Sequence, residues 1–217
     1  MARFCTAEEA VKDICEGMSI MIGGFLGVGT PDNLVQALVN QGTKNITIIT
    51  NDSAFPGVGV GKLQDSKQIN VLYTSYIGGH PDSGSCMENG DMQVVLTPQG
   101  TLAEQIRAGG AGLGGVLTPT GIGTVVETGK QKIVVADKTY LLEEPLKADI
   151  ALIKAYKADV SGNLIYRFSA RNFNPLMAMA AKRVIVEVEE IVPVGSIEPD
   201  YVATPGIFVD LLVKGGE

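Results

Sequence analysis

The chain contains 217 residues, with a formal net charge of −7 and 45% hydrophobic residues. It has no run rich in lysine and arginine, which argues against nucleic acid as a partner. No apolar segment approaches the roughly 18 residues of a membrane-spanning helix, and residues 1–13 lack a signal-peptide core, so we expect a cytoplasmic protein without membrane contact.

The predicted elements alternate between helix and strand along the chain. Thr6 and Glu9 have the spacing of a capping box at the start of a helix. Short apolar runs predict strands at residues 18–22, 45–50, 69–77, 92–96 and 184–188, and 207–213 is a last apolar segment. Helical spacing predicts helices at residues 31–40, 101–108 and 174–181, the first stopped by Gly42 and the second by Gly109 and Gly110.

This order of elements predicts an α/β fold in which a mostly parallel central sheet is flanked by helices. Residues 132–135, 139–142 and 150–156 predict short strands that form a small antiparallel extension. No linker or internal repeat interrupts the chain, so we expect residues 1–217 to form a single domain.

Metal chemistry has little support in the sequence. The three cysteines, Cys5, Cys15 and Cys86, form no metal-ligand spacing, and His80 is the single histidine. We therefore predict no metal site. His80 is expected in a surface turn, and Cys86 has no other basic partner that would activate it as a nucleophile.

A glycine-punctuated loop, Gly23-Gly-Phe-Leu-Gly-Val-Gly-Thr-Pro31, follows the strand at residues 18–22. Thr30 is predicted to cap the next helix and Pro31 to occupy its first position, which would leave free N–H groups facing an anion. An ordinary strand–helix connection would explain the loop equally well. A dinucleotide loop paired with Asp52 is a third interpretation, although its glycine order is reversed.

Polar side chains follow two other predicted strands. Asn51 lies in Thr50-Asn-Asp-Ser53, where its amide suits the stabilisation of an oxyanion, although these residue types also form turns. Gln99 lies in the loop that follows residues 92–96. Thr101 and Glu104 have capping-box spacing, which gives Glu104 a structural role and leaves Gln99 free. In an open α/β sheet such residues meet at one edge.

Four stretches together carry a family resemblance: residues 23–31, Thr97-Pro-Gln-Gly-Thr-Leu-Ala-Glu104, Arg107-Ala-Gly-Gly-Ala-Gly112 and Ser169-Ala-Arg-Asn-Phe-Asn-Pro175. The chain resembles the A (alpha) subunit of class I 3-oxoacid and acetate coenzyme A (CoA) transferases. Residues 51–52 and 121–126 are similar to the branch that acts on acetate, butyrate and acetoacetate. The resemblance implies the CoA-transferase (NagB/RpiA-like) fold.

The resemblance also implies a reaction and a partner. CoA moves from a short-chain acyl-CoA to a free carboxylate through a glutamyl-CoA thioester. The glutamate belongs to the beta subunit, within a Ser-Glu-Asn-Gly motif, in an assembly of two alpha and two beta chains. Carried over by position, the catalytic residues of this chain are Asn51 and Gln99. The CoA-binding residues are Gly24, Phe25, Leu26, Gly27, Val28, Gly29 and Thr30.

Three other features lie outside the predicted catalytic set. Glu88 lies in Met87-Glu-Asn-Gly90, which imitates the glutamate motif but lacks its serine and is expected in a turn-rich loop. Arg171 could pair a carboxylate of the partner or anchor its own loop. The glycine-rich residues 109–123 could form a subunit contact or pack internally.

Two alternative functions remain open on the sequence alone. An NAD-dependent oxidoreductase would fit the strand, glycine loop, helix and Asp52. A sugar-phosphate isomerase or sensor relative of the same fold would need its own catalytic acid or base in this chain.

Overall fold

The computed structural model describes residues 2–215, so the predicted domain limits at residues 1 and 217 lie outside the described residues. The helices are α1 (Ala7–Val11), α2 (Asp32–Gln41), α3 (Gly61–Asp65), α4 (Asp82–Asn89), α5 (Gln99–Ala111) and α6 (Asn174–Met179). The strands are β1 (Arg3–Phe4), β2 (Ser19–Ile22), β3 (Ile46–Ile49), β4 (Ile69–Thr74), β5 (Gln93–Leu96), β6 (Val116–Thr118), β7 (Lys132–Val135), β8 (Lys138–Glu143), β9 (Ala148–Asp159), β10 (Leu164–Ile165), β11 (Ala181–Val192) and β12 (Leu211–Lys214).

The main sheet has the strand order β1-β12-β11-β9-β2-β3-β4-β5 among the described residues. Every neighbouring pair along this path is parallel, and the short β10 pairs antiparallel with β9. A separate antiparallel sheet has the order β6-β8-β7. The predicted parallel sheet with a small antiparallel extension is confirmed.

The central strands are buried on both faces. Ile20 and Ile22 of β2 pack in a cluster with α1, α2 and α3, whereas Met21 packs in a second cluster with α5 and α6. Successive side chains of a strand point to opposite faces, so a continuously apolar strand needs helices on both sides. This explains why residues 18–22 read as an apolar run without alternation.

Two predictions of secondary structure were wrong: the sheet to which residues 150–156 belong, and the end of the helix predicted at residues 101–108. Residues 150–156 lie inside β9, a twelve-residue strand of the parallel sheet, and not in the antiparallel extension. The helix α5 continues through Gly109 and Gly110 and ends at Gly112. Both glycines pack inside the chain: a Cβ on Gly109 would lie 1.9 Å from the Leu146 carbonyl oxygen, and one on Gly110 would lie 2.8 Å from the Met179 Cβ. Close packing keeps these two glycines in the helix.

The start of α5 also differs from the prediction. The helix begins at Gln99, so Thr101 lies within it and forms no capping box with Glu104. Glu104 instead accepts a hydrogen bond from Arg107 Nε at 2.7 Å. The capping box predicted at Thr6 and Glu9 is present. The earlier start places Gln99 at the carboxyl end of β5, beside the ends of β2, β3 and β4.

Candidate active site at the carboxyl edge of the sheet

The glycine loop is a tight reverse turn. The backbones of Phe25 and Val28 exchange two hydrogen bonds, of 3.0 and 2.9 Å, across Leu26 and Gly27. Leu26 has a φ of +47° and Gly27 a φ of +90°, the signs expected of a type I′ turn. Glycine suits this geometry, whereas a leucine at positive φ is uncommon and needs support from its surroundings.

Several loop amides are already used within the chain. Phe25, Leu26, Val28 and Thr30 donate to other residues, whereas the amides of Gly24, Gly27 and Gly29 make no hydrogen bond to the described residues. Of these three glycines, Gly27 and Gly29 are partly exposed and Gly24 is buried.

The N-terminus of α2 is not free to bind an anion, contrary to the sequence interpretation. Pro31, not Thr30, occupies the capping position, and no side chain of the loop caps the helix. The Glu187 carboxylate of β11 accepts instead from the amides of Asn33 at 2.8 Å and Leu34 at 3.2 Å. Burial raises the pKa of Glu187, and these two amides act in the opposite direction. The chain supplies its own anion at this helix end.

Three polar side chains form a hydrogen-bond relay next to the loop. Gln99 Nε2 donates to Asn51 Oδ1 at 2.7 Å, and Asn51 Nδ2 donates to Asp52 Oδ2 at 2.6 Å. The same Asp52 oxygen accepts from the Leu26 amide at 2.9 Å. We refer to Gln99, Asn51 and Asp52 as the relay. It joins three segments that the sequence separates: the glycine loop, the end of β3 and the start of α5.

The two predicted catalytic residues are thus in direct contact, but they differ in exposure. Asn51 is 1% exposed, whereas Gln99 is exposed at the surface of the chain. Ser75 holds Asn51 in place, since its hydroxyl donates to the Asn51 carbonyl oxygen at 2.7 Å and its amide donates to the same oxygen at 2.9 Å. Gln99 is therefore the relay member that can meet a ligand directly.

A second set of contacts fixes the other end of the glycine loop. Asn174 Nδ2 donates to the carbonyl oxygens of Gly29 at 2.9 Å and Ala170 at 2.8 Å, and Asn174 Oδ1 accepts from the Lys154 amide at 3.0 Å. Asn172 Nδ2 donates to the Val28 carbonyl oxygen at 3.0 Å. The Ser-Ala-Arg-Asn-Phe-Asn stretch thus holds the loop through its two asparagines.

Sequence reasoning missed three of these supports. Ser75 lay inside the strand predicted at residues 69–77, but β4 ends at Thr74, so Ser75 is in fact a strand-end residue like Asn51. Asn174 was predicted only as the first residue of a helix, and its side-chain contacts with the loop have no local signal in the sequence. Glu187 is a single acidic residue inside the apolar run of β11, and a buried charge in such a run signals a specific partner.

Some residues outside the predicted catalytic set differ from expectation. His80 is 2% exposed, not on the surface, and its Nε2 lies 2.9 Å from Asp65 Oδ1. Glu88 is exposed on α4, which replaces the predicted turn-rich loop and ends at Gly90. Arg171 is exposed in a short 3-10 helix. None of the three contacts the relay.

Exposed apolar side chains lie in the glycine loop and at or just after the ends of β3, β4 and β5, the segments that contain or adjoin the relay. Their exposed fractions lie between 39% and 51%. We call this set the apolar rim; it consists of Phe25, Val28, Phe55, Val58, Tyr76 and Leu96. A Cβ on Gly27 would lie 2.6 Å from Val58 Cγ1, so the glycine loop and the segment after β3 are in contact.

Two absences hold for residues 2–215. No group of three histidine, cysteine, aspartate or glutamate side chains is arranged to hold a metal ion. Among the same residues, no helix has the length and apolar character needed to cross a membrane.

Comparison with known proteins defines the class. The coenzyme A transferase family model matches residues 4–215, so the chain belongs to the coenzyme A transferase family. It is 50% identical over 215 residues to the acetate CoA-transferase subunit alpha of Escherichia coli K12, covering 99% of this chain and 98% of that protein. It is 53% identical over 199 residues to the acetoacetyl-CoA:acetate/butyrate CoA transferase alpha subunit of Clostridium acetobutylicum, covering 92% and 91%. Within the family, the chain is an alpha-type CoA-transferase subunit.

Solved structures show the same fold. An acyl-CoA transferase from Escherichia coli O157:H7, in a thioester complex with CoA, superposes with a TM-score of 0.89 at 22% identity, over 99% of this chain and 47% of that one. The chain therefore spans about half the length of that protein. Glutaconate CoA-transferase from Acidaminococcus fermentans superposes with a TM-score of 0.83 at 19% identity, over 99% and 76%. The expected CoA-transferase fold is confirmed.

Proposed function

We propose that this chain forms half of a CoA-transfer site and that a beta subunit brings the nucleophilic glutamate. The observation that carries the proposal is the relay, which ends in the exposed amide of Gln99 and whose own carboxylate is already engaged. Asp52, its one carboxylate, is buried and already accepts three N–H groups. Such a site can stabilise an oxyanion but cannot begin the reaction.

The proposed reaction proceeds by covalent catalysis. The partner's glutamate attacks the acyl-CoA carbonyl carbon, and the C–S bond breaks to give a mixed anhydride and CoA thiolate. The thiolate then attacks the glutamyl carbonyl and releases the first carboxylate, which leaves a glutamyl-CoA thioester. An incoming carboxylate repeats the two steps in reverse. Each attack places negative charge on a carbonyl oxygen, for which Gln99 supplies an exposed amide N–H group that Asn51 holds in position.

The glycine loop is proposed to hold the thioester end of CoA. Its residues are Gly24, Phe25, Leu26, Gly27, Val28, Gly29 and Thr30. The amides of Gly24, Gly27 and Gly29 have no hydrogen-bond partner among the described residues, so we propose these amides as donors to the ligand. The relay lies directly beside them through the Asp52–Leu26 hydrogen bond.

The substrates proposed are short-chain acyl-CoA thioesters and carboxylates. The relatives' names supply acetate, butyrate and acetoacetyl-CoA as the candidates. Members of this set differ by a methylene or a carbonyl group, which is worth about 1–3 kcal/mol in a pocket. The choice among them therefore depends on few contacts.

The partner is proposed to cover the apolar rim. Relatives named alpha subunits imply a second kind of chain, and the longer acyl-CoA transferase has a further half that this chain does not match. Docking at the rim would bring the glutamate to Gln99 and exclude water. We propose an assembly of two alpha and two beta chains. This chain would contribute one domain over its whole length in a cytoplasmic enzyme, where its three free thiols suit a reducing environment.

Reconstitution tests this function. The purified chain alone is expected to transfer no CoA from acetoacetyl-CoA to acetate, and addition of a CoA-transferase beta subunit is expected to restore transfer. Activity of the isolated chain would contradict the divided site. Borohydride treatment of the acyl-CoA-loaded complex should reduce the glutamyl thioester on the beta chain, and reduction on this chain would point to Glu88 instead.

The alternative functions have no such support. An NAD-dependent oxidoreductase would need Asp52 free to meet a ribose, whereas Asp52 is 4% exposed and engaged by three donors. Sugar-phosphate binding at the helix N-terminus would compete with Glu187. Titration of the chain with NAD or a sugar phosphate is expected to give no binding.

A further inference from the structure

We propose that Asp52 is a positioning residue of the transfer site, which acts through Asn51 and the glycine loop and does not touch the substrate. This inference rests on the proposed function and adds a residue to it. Asp52 is 4% exposed, so a substrate at the surface of the chain cannot reach it. Its hydrogen bonds nevertheless reach the glycine loop through Leu26 and the rest of the relay through Asn51.

The Asp52 carboxylate accepts hydrogen bonds from N–H donors on both oxygens. Oδ2 accepts from the Leu26 amide at 2.9 Å and from Asn51 Nδ2 at 2.6 Å, and Oδ1 accepts from the Ala54 amide at 2.9 Å. No ion pair within residues 2–215 involves Asp52. The carboxylate is therefore held by the loop and relay themselves, and it holds them in return.

The Asp52 carboxylate determines which group donates and which accepts in each hydrogen bond of the relay. A carboxylate only accepts hydrogen bonds, so Asn51 must turn its NH₂ group to Asp52 and its oxygen to Gln99. Gln99 must then offer its NH₂ group to Asn51. Each NH₂ group has a second proton, and the one on Gln99 is available at the surface. One buried carboxylate thus decides that the exposed end of the relay presents a donor, which an oxyanion requires.

The same oxygen also fixes the glycine loop. Leu26 has a φ of +47°, a conformation that leucine rarely adopts without support. Its amide donates to Asp52 Oδ2, the atom that also receives Asn51 Nδ2. The glycine loop and Asn51 therefore share one acceptor atom, Asp52 Oδ2, and a displacement of Asp52 moves both.

Kinetics of the complex with the beta subunit test this role. The variant Asp52→Ala is expected to lower kcat on the order of 10²-fold while KM for the acyl-CoA changes much less, since small displacements of positioned groups have effects of this size. The double variant Asn51→Ala/Asp52→Ala should lose clearly less than the product of the two single losses, because Asp52 acts in part through Asn51. Effects that multiply would overturn the proposal.

A matched control separates positioning from stability. Asp149 is a carboxylate at the other end of β2, where it accepts from the Ser19 amide at 2.9 Å and the Ser19 hydroxyl at 2.8 Å. Asp149→Asn is expected to lower the free energy of unfolding and to leave kcat unchanged. If kcat falls equally in both variants, Asp52 is merely structural and the proposal fails.

Amide hydrogen exchange provides a readout that needs no activity. In the full chain, Asp52→Ala is expected to speed exchange of the Leu26 amide roughly tenfold or more, because a hydrogen bond to a charged group is lost. Asp149→Asn should leave it unchanged. If exchange of the Leu26 amide is unaltered in Asp52→Ala, Asp52 does not hold the loop and this proposal fails. If the wild-type complex is inactive, the proposed function fails, but the exchange measurement still tests the role of Asp52. If Asp52→Ala does not fold, Asp52→Asn, which keeps one acceptor oxygen, is measured in the same way.

Discussion

Asn51 occupies the middle of the relay, where its oxygen and nitrogen have separate partners. Asn51→Ala is expected to lower kcat of the complex on the order of 10²-fold, because Gln99 loses its acceptor and the site loses a preorganised amide. Steady-state kinetics with acetoacetyl-CoA and acetate measure the effect. Asn40→Ala, at an exposed position of α2, is the control and should leave kcat unchanged. An equally active Asn51 variant would remove Asn51 from the proposed site.

Asp149 gives the chain an acid-sensitive contact. The Lys182 ammonium, followed by the amide and hydroxyl of Ser19, lowers the pKa of Asp149 to about 2. The folded pKa lies below the unfolded value of about 3.9, so this contribution to stability is present above that value and is lost as pH falls toward 2. Chemical unfolding between pH 7 and 2 should show a shallower decline for Asp149→Asn than for wild type. Identical slopes would contradict the assignment.

Individual residues show how far sequence reasoning reaches. Asn51 and Gln99 were predicted to lie together because polar residues at the ends of parallel strands meet at one edge, and their side chains are hydrogen-bonded; their catalytic role stays a prediction. The exposure of each could not be inferred, since it depends on how α5 begins. His80 was predicted on the surface because its neighbours are glycine and proline, yet its partner Asp65 lies 15 residues earlier, at the end of α3. A contact between residues this far apart in the sequence leaves no local pattern from which it could be predicted.

At the scale of elements, α2 depends on a strand far along the chain for its N-terminal cap. Glu187→Leu is expected to lower the free energy of unfolding by about 1–2 kcal/mol, since the amides of Asn33 and Leu34 lose their acceptor. Glu187→Gln keeps an acceptor oxygen and should cost less. Urea unfolding of the two variants measures the difference, and equal losses would show that the cap is unimportant.

The raised pKa of Glu187 predicts that its contribution to stability changes with pH in the opposite direction to that of Asp149. Burial raises the pKa of Glu187 above its unfolded value, so its contribution to stability is fully present below the unfolded pKa and is lost as pH rises through the folded pKa. Relative to wild type, Glu187→Gln should therefore become more stable as pH rises from 4 toward 8. A difference that stays constant with pH would contradict this prediction.

Elements were predicted well where periodicity was strong and poorly where tertiary packing decided. The apolar runs of β2 and β3 identified buried strands because burial on both faces leaves no alternation. The end of α5 was misplaced because Gly109 and Gly110 resemble a stop signal, whereas close contact with Leu146 and Met179 retains them in the helix. The orientation of β9 depends on its neighbours and has no local signal.

At the scale of the whole molecule, the apolar rim predicts where the partner binds. Phe55→Ser and Leu96→Ser are each expected to weaken binding of the beta subunit by roughly tenfold, as loss of a central apolar contact does. Calorimetric titration of the two chains measures it. Ile207→Ser, which alters an equally apolar side chain that is 89% exposed outside the rim, is the control. Equal affinity of the rim variants would place the partner elsewhere.

The Glu187 cap has a consequence for selectivity. Helix N-termini beside glycine loops ordinarily attract phosphate groups, and phosphorylated metabolites are abundant competitors for any such site. Here the positive end of α2 already faces a carboxylate of its own chain. A phosphate group that approached this helix end would meet the Glu187 carboxylate, so we expect the phosphates of a ligand to bind away from the N-terminus of α2.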